Sequence, residues 1–418
     1  MLSFTKKYGF LEFSIESRNW SHDLMKVLPK LFIFFAFGSA LMSGCGGARP
    51  ESTCGPDNYE CLIAEYGKRI EQQPRELDAY LGRAAAYQKA RKLDAAIEDC
   101  TMALKIDPKE IRAYKLRGSI YYEQKQFVKA IDDFERLTKL EPNVAENHRL
   151  FGEAYQANGN LEQAMPPLMQ AIALDDKNAR NFLARGRQYR LMRKFDESLA
   201  DLDKAVSVDG NYARAFVERC KLRTATKKFE LAAVDCKRAI EITPPEDAVF
   251  AYSAMANLYS AQGEAAKEIA IYGDAIKLFP SNDLFYDLRG SAYLRNNQAE
   301  PAKADFDKAI SLDPNNSSAY ANRGLAYIAN KKFEEAIADL KQAIKINPKS
   351  SEAYDGLGVA YTQTGKTDEA LSALNTALIL NPNNTNALKN RVALFKKTGD
   401  SFNALADTLR LKRLGLTE

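Results

Sequence analysis

The feature that most constrains this chain is a period of 34 residues. YKLRGSIYYEQKQFVKAIDDFERLTKLEP (114–142) and YANRGLAYIANKKFEEAIADLKQAIKINP (320–348) share the spacing Y-x2-R-G-x2-Y, then Ala with Phe or Leu four residues on, then Pro. Anchoring the register on Pro108 places repeats one to five at 77–110, 111–144, 145–178, 179–212 and 213–246. Asp247 and Ala248 are then inserted, and repeats six to ten run 249–282, 283–316, 317–350, 351–384 and 385–418. Position 8 reads Ala84, Gly118, Gly152, Gly186, Cys220, Ala256, Gly290, Gly324, Gly358 and Val392, and position 11 is aromatic in every repeat but the fifth (Arg223). Each unit carries two apolar stripes at i, i+3, i+4, i+7, divided by a polar turn such as KKFEE or TGKTD. That pattern predicts an antiparallel helix pair. One pair cannot bury its own apolar face, so neighbours must stack into a continuous core.

On those columns the chain resembles the tetratricopeptide repeat family, with its aromatic at position 4, small residues at 8, 20 and 27, and Pro at 32. The resemblance implies an all-α, right-handed superhelical solenoid of about ten helix-turn-helix repeats. Its first helices would line the binding surface, mainly through positions 2, 5, 9, 12 and 13. The Arg recurring at position 7 (Arg83, Arg117, Arg185, Arg219, Arg289, Arg323, Arg391) belongs, by the same resemblance, to packing between repeats and not to a site.

Composition argues against most alternatives. The 418 residues carry a formal net charge of only +4, which gives no overall field for nucleic acid. Of two histidines, His22 precedes the repeats and His148 stands at an aromatic position of repeat three. An enzyme of the Ser-His or Cys-His type would have to be built on that one imidazole. No HExxH, CxxC or GxxxxGK[ST] occurs, so no catalytic residue, metal site or cofactor is assigned.

Departures from the period mark local structure. Repeat three lacks the closing Pro and places Pro166-Pro167 in its second helix, which predicts a late start or a kink. The segment DPNN (313–316) predicts a helix stop whose Pro enters the first turn of the next helix. The insertion separates two arms, 77–246 and 247–418. Residues 58–76 read as an N-terminal capping helix ending at Pro74.

Mapped onto the binding positions, repeats two to five place Arg112, Lys115, Arg149, Arg180, Arg187, Arg190, Arg214 and Lys221 on one face, against Glu123, Glu146 and Glu153. Repeats six to eight are small, polar or apolar there, with Phe250 and Asn257 among them. One reading is a groove with a basic half for carboxylates and an apolar half for hydrophobic anchors. The other is an ordinary solvated face with scattered arginines. The lysine and asparagine set with which some family members clamp chaperone tails is missing.

Before the repeats lies LFIFFAFGSALMSGC (31–45). Its dozen apolar residues are too few for a span of about 20 and fit the core of a secretory signal. Leu41 to Cys45 resembles a bacterial lipobox, with Met42 where Leu is usual and Leu41 one place early. Read from Met25, the signal has Lys26 and Lys30 ahead of its apolar core. The expected organisation is an upstream over-extension (1–24), a lipoprotein signal peptide (25–44) and a tether lipidated at Cys45 (45–57). Gly46 follows the cysteine, so by resemblance to enteric lipoproteins the chain would reside in the outer membrane, facing the periplasm. Cys54 and Cys61 could bridge in an oxidising compartment, as could Cys220 and Cys236 at positions 8 and 24 of one helix pair. The alternative for the latter is a pair of small buried thiols.

The function expected is a non-enzymatic, lipid-anchored scaffold that captures segments of envelope proteins: an assembly factor, a pilotin-like protein, or a hydrolase or protease adaptor. A scaffold for exopolysaccharide export is the near alternative. A cytosol-facing receptor or co-chaperone on an uncleaved signal anchor is the more distant one.

Overall fold

This computed structural model describes residues 54–55 and 57–415. The over-extension (1–24), the signal peptide (25–44), the lipidation site Cys45 and most of the tether lie outside the described residues. Every regular element described is a helix, and the described residues divide into two compact units between Thr243 and Pro244. The first holds α1 (Tyr59–Gln72), α2 (Leu77–Lys89), α3 (Leu93–Ile106), α4 (Ile111–Glu123), α5 (Phe127–Leu140), α6 (Ala145–Ala157), α7 (Leu161–Leu174), α8 (Ala179–Leu191), α9 (Phe195–Val208), α10 (Ala213–Ala225) and α11 (Phe229–Ile242). The second opens with a 3-10 turn (Pro245–Asp247). It continues with α12 (Ala248–Ala261), α13 (Ala265–Leu278), α14 (Asp283–Arg295), α15 (Ala299–Leu312), α16 (Ser317–Ala329), α17 (Phe333–Ile346), α18 (Ser351–Gln363), α19 (Thr367–Leu380), α20 (Thr385–Thr398) and α21 (Ser401–Arg413). The repeats are therefore helix pairs in the expected register, and the inserted residues are taken up by the 3-10 turn and the start of α12.

Two positions make the pairs possible. At position 8 the first helix meets the residue at position 24 of the second. A Cβ on Gly118 would lie 2.7 Å from the Phe134 ring, and one on Gly358 would lie 2.6 Å from Leu374 Cγ. Such distances leave room for hydrogen alone, so the large apolar residue opposite is fully buried. Position 15, in the turn between the two helices, takes positive φ in all ten repeats. Glycine supplies it at 159, 263, 365 and 399, whereas Arg91, Lys125, Arg193, Lys227, Asn297 and Lys331 adopt φ of 57–62° with a side chain in place.

The late helix start expected in repeat three and the placing of Pro314 in a first helical turn need correction. The helix of repeat three starts on time at Leu161 and runs to Leu174 with both prolines inside it. Their missing N–H groups deprive the carbonyls of Glu162 and Gln163, which belong to exposed residues, so water can replace the lost donors. Pro314 does not enter the following helix either. It stays in the turn, and Asn316 caps α16 by accepting from Ala319 N at 2.9 Å. The capping helix α1 packs its Tyr66 ring over Gly82, where a Cβ would come within 2.4 Å.

Candidate functional site

The position 7 arginines are fixed inside the repeat. Arg83, Arg117, Arg185, Arg219, Arg289, Arg323 and Arg391 each donate from Nε and Nη2 to both oxygens of the aspartate sixteen residues on, at 2.6–3.0 Å. The fork geometry of guanidinium and carboxylate gives a bidentate, charge-assisted pair that ties the first helix to the second. The contact to the neighbouring repeat is the lesser one: Nη1 reaches back to Thr101, Asp203, Asp307 or Asn375 in four of the seven. The expectation of a column packing mainly between repeats is corrected accordingly. Aromatic residues at positions 4 and 11 flank the guanidinium; Arg289, for instance, lies 5.9 Å from the rings of both Tyr286 and Tyr293. Three of the tyrosines at position 4, Tyr80, Tyr114 and Tyr286, also donate to a proline carbonyl six residues earlier, at 3.1–3.3 Å, and His148 makes the same contact through Nε2 to Pro142 O at 2.8 Å. A proline carbonyl only accepts, so Nε2 carries the proton, and the histidine does the work of the aromatic it replaces.

The basic residues of repeats two to five come together, though not as a bare cationic strip. Arg112 stands apart, paired with Asp78 and Glu110 at 2.8 Å each. Lys115 on α4 reaches Glu146 on α6, and Arg149 is buried between Glu153 at 2.7 Å and Glu146 at 3.7 Å. Further along, Arg187 and Arg190 on α8 and Lys221 on α10 surround the buried carboxylate of Glu218, at 3.3, 3.5 and 3.2 Å. Burial alone would push Glu218 up; Lys221, Arg187 and Arg190 together hold it well below the usual carboxylate range. Tyr212 is raised by burial, opposed by the nearby charges of Arg187, Arg214 and Arg180. Tyr122, beside Glu153, Arg187 and Arg149, is pushed up to about 12, mainly by burial. Lys115, Arg149, Arg187, Arg190 and Lys221 thus face three carboxylates, and Arg180, which is exposed, and Arg214 add two more cations beside Tyr212.

Glu218 was not among the expected site residues, because position 6 is not a groove position. The signal was in the column: Gly82, Leu116, Leu150, Ala184, Ala254, Leu288, Asn322, Gly356 and Asn390 make Glu218 its one charged member. Phe250 and Asn257 belong to the second unit, on α12, both half-buried. Cys54 is joined to Cys61, Cys220 to Cys236 across the position 8 and 24 contact, and Cys100 is a buried free thiol. Among the described residues no group of acidic, His and Cys side chains could hold a metal ion, and no helix is long and apolar enough to cross a membrane.

Models of the tetratricopeptide repeat match residues 77–110, 111–144, 288–351 and 327–392. Among solved structures the chain is similar to yeast Tom70, at 16% identity and a TM-score of 0.49 over 86% of this chain and 96% of that one. It is similar also to a tetratricopeptide repeat protein from Parabacteroides merdae (18%, 0.45, over 60% and 98%) and to the APC/C hetero-tetramer Cut9-Hcn1 (14%, 0.43, over 80% and 82%). No protein of curated function matches the chain.

Proposed function

Because this chain is a tetratricopeptide-repeat protein, a scaffold for protein–protein interaction, we propose that it is lipid-anchored through Cys45 in the bacterial envelope, facing the periplasm, and captures acidic segments of envelope proteins there. The observation that carries the partner chemistry is the surplus of cations over carboxylates on the first-helix faces of repeats two to five. Glu218 is an internal carboxylate held by three of those cations, which supports the same kind of coordination for an incoming aspartate or glutamate at the cations beside Tyr212. The lipobox-like LMSGC supports the anchor, and two disulfides support an oxidising compartment over a cytosolic one. The anchor would leave the repeats free to act as assembly factor, pilotin or hydrolase adaptor.

Reversing Arg187 and Arg190 would take two of its three cations from Glu218 and place two carboxylates beside it, which risks unfolding. Arg180→Glu, at an exposed position, is the cleaner variant. Fluorescence anisotropy with a labelled twelve-residue Asp/Glu peptide should show affinity reduced by at least about tenfold, with helicity unchanged. Equal binding would remove the basic surface from the reading. Metabolic labelling with palmitate, retained in the wild type and lost in Cys45→Ser, tests the anchor separately; an unlabelled wild-type chain would refute it.

A further inference from the structure

Three repeats lack the internal Arg–Asp pair, and they lack both members together: Phe151/Pro167 in repeat three, Met255/Ile271 in repeat six and Leu357/Ala373 in repeat nine. In repeat three Phe151 fills the space by packing against Tyr155, the rings tilted at 48° with centroids 4.7 Å apart. In repeat six two bulky apolar residues take the places. Repeat nine substitutes the smallest pair, yet keeps both rings that elsewhere flank the guanidinium, Tyr354 at position 4 and Tyr361 at position 11. A cleft of about 450 Å³ opens there, lined by Tyr354, Leu357, Tyr361 and Ala373, with the exposed carboxylates of Asp368 and Glu369 beside them. Its walls include all four positions that hold the guanidinium in the other repeats. Around Arg83, Arg117 and Arg289 the guanidinium carbon lies 5.8–5.9 Å from each of the two centroids.

We propose that the cleft of repeat nine is a recognition site for a guanidinium group, receiving an arginine side chain of a protein partner between Tyr354 and Tyr361, with Asp368 and Glu369 as counter-charges. A flat, weakly hydrated cation suits an aromatic slot better than a compact ammonium does. The local charge is compatible. Lys341 and Lys366 stand over Tyr361 at 5.8 and 5.9 Å, and Lys366 also reaches Glu334 at 3.3 Å. Three carboxylates therefore face two ammonium groups, an excess that one guanidinium neutralises. Lys341 is exposed, so an entering arginine displaces it from the ring without unburying anything. The site is independent of the basic face of repeats two to five, and either could fail alone.

The test is methyl-selective NMR on the full chain, reading Leu357 and Ala373 while titrating N-acetyl-arginine amide. Saturable shifts are expected, with the neutral citrulline amide weaker by about tenfold or more. Leu357→Arg with Ala373→Asp rebuilds the internal pair, and in that variant arginine binding should vanish while the melting temperature holds or rises. Lys341→Ala removes the competing ammonium from the surface and should tighten binding, which keeps the test open if the rebuilt repeat folds poorly. Absence of saturable shifts, citrulline binding as tightly as arginine, or undiminished binding to the folded rebuilt variant would each overturn the proposal.

Discussion

Deleting the carboxylate of a single Arg–Asp pair should cost more than deleting the whole pair. In repeat eight, Arg323 spans both oxygens of Asp339 at 2.6 and 2.8 Å and holds Asp307 of the preceding repeat at 2.7 Å. The two paired side chains are 18% and 12% exposed. Asp339→Ala leaves the guanidinium largely desolvated with Asp307 and the Tyr320 ring as its remaining support. Breaking a buried pair from one side costs about 3–5 kcal/mol, and the residual exposure with the second carboxylate brings the expectation to about 2–3 kcal/mol. Arg323→Leu with Asp339→Ala leaves Asp307 its second partner, Lys303 at 2.7 Å, and reproduces the pair that repeat nine already uses. What it loses is the net worth of the charge-assisted bonds and some packing, about 1 kcal/mol. Stability in a stacked array is local plus nearest-neighbour, so a single melting midpoint blurs the effect. Native-state hydrogen exchange of the α16 and α17 amides, read beside the urea midpoint, isolates it. A double variant destabilised as much as Asp339→Ala would refute the reasoning, because stranded charge could then not be the origin of the cost.

At position 15, Lys331→Gly should stabilise by about 0.5–1 kcal/mol, and Gly365→Ala should destabilise by a similar amount, since both residues adopt positive φ; urea midpoints that move in one direction for both would contradict this. The Glu218 carboxyl is depressed in the folded chain, so its contribution to stability is complete above about pH 4.3, the unperturbed value, and is lost as pH falls through the lower folded value. An acid titration followed by circular dichroism should show a loss of stability below about pH 4 that Glu218→Gln removes, and an identical profile in the variant would exclude Glu218 as the source. Reduction of Cys220–Cys236, which closes a loop of sequence separation 16, should cost about 3 kcal/mol and expose α10 and α11 to exchange before the rest of the first unit. Unchanged protection after verified reduction would show that packing alone holds that pair.

Much of the fold was readable because it is enforced by one residue per contact. Gly118 against Phe134 admits no alternative, and His148 stands where a ring that donates to a proline carbonyl must stand. Helix interruption was harder to read. Pro166 and Pro167 look like a break from propensity, but the carbonyls they leave belong to exposed residues and Pro167 fills a core position opposite Phe151, so the repeat overrides the local cost. At the basic surface, position numbers gave the cations and concealed their partners. Lys115, Arg149, Arg187 and Lys221 fall on groove positions, whereas Glu218 sits one place off the groove pattern and is found only when its whole column is compared. The Asp at position 23 was equally visible and equally unread, because a pair sixteen residues apart announces itself only through the repeats that lose both members.

Those repeats also fall every third, and this spacing bears on function. Repeat nine has a stapled neighbour on each side: Arg323 with Asp339 before it and Arg391 with Asp407 after it. A cleft made by removing an internal ion pair would ordinarily loosen the helices that frame it. Here the flanking pairs hold the adjacent repeats, and Leu374 against Gly358 still closes α18 on α19. The rings of Tyr354 and Tyr361 therefore line the cleft without an arginine of their own between them. Preorganisation of that kind reduces the ordering cost of binding. It makes the slot better suited to a rigid cationic side chain supplied from outside than to a mobile one supplied from within.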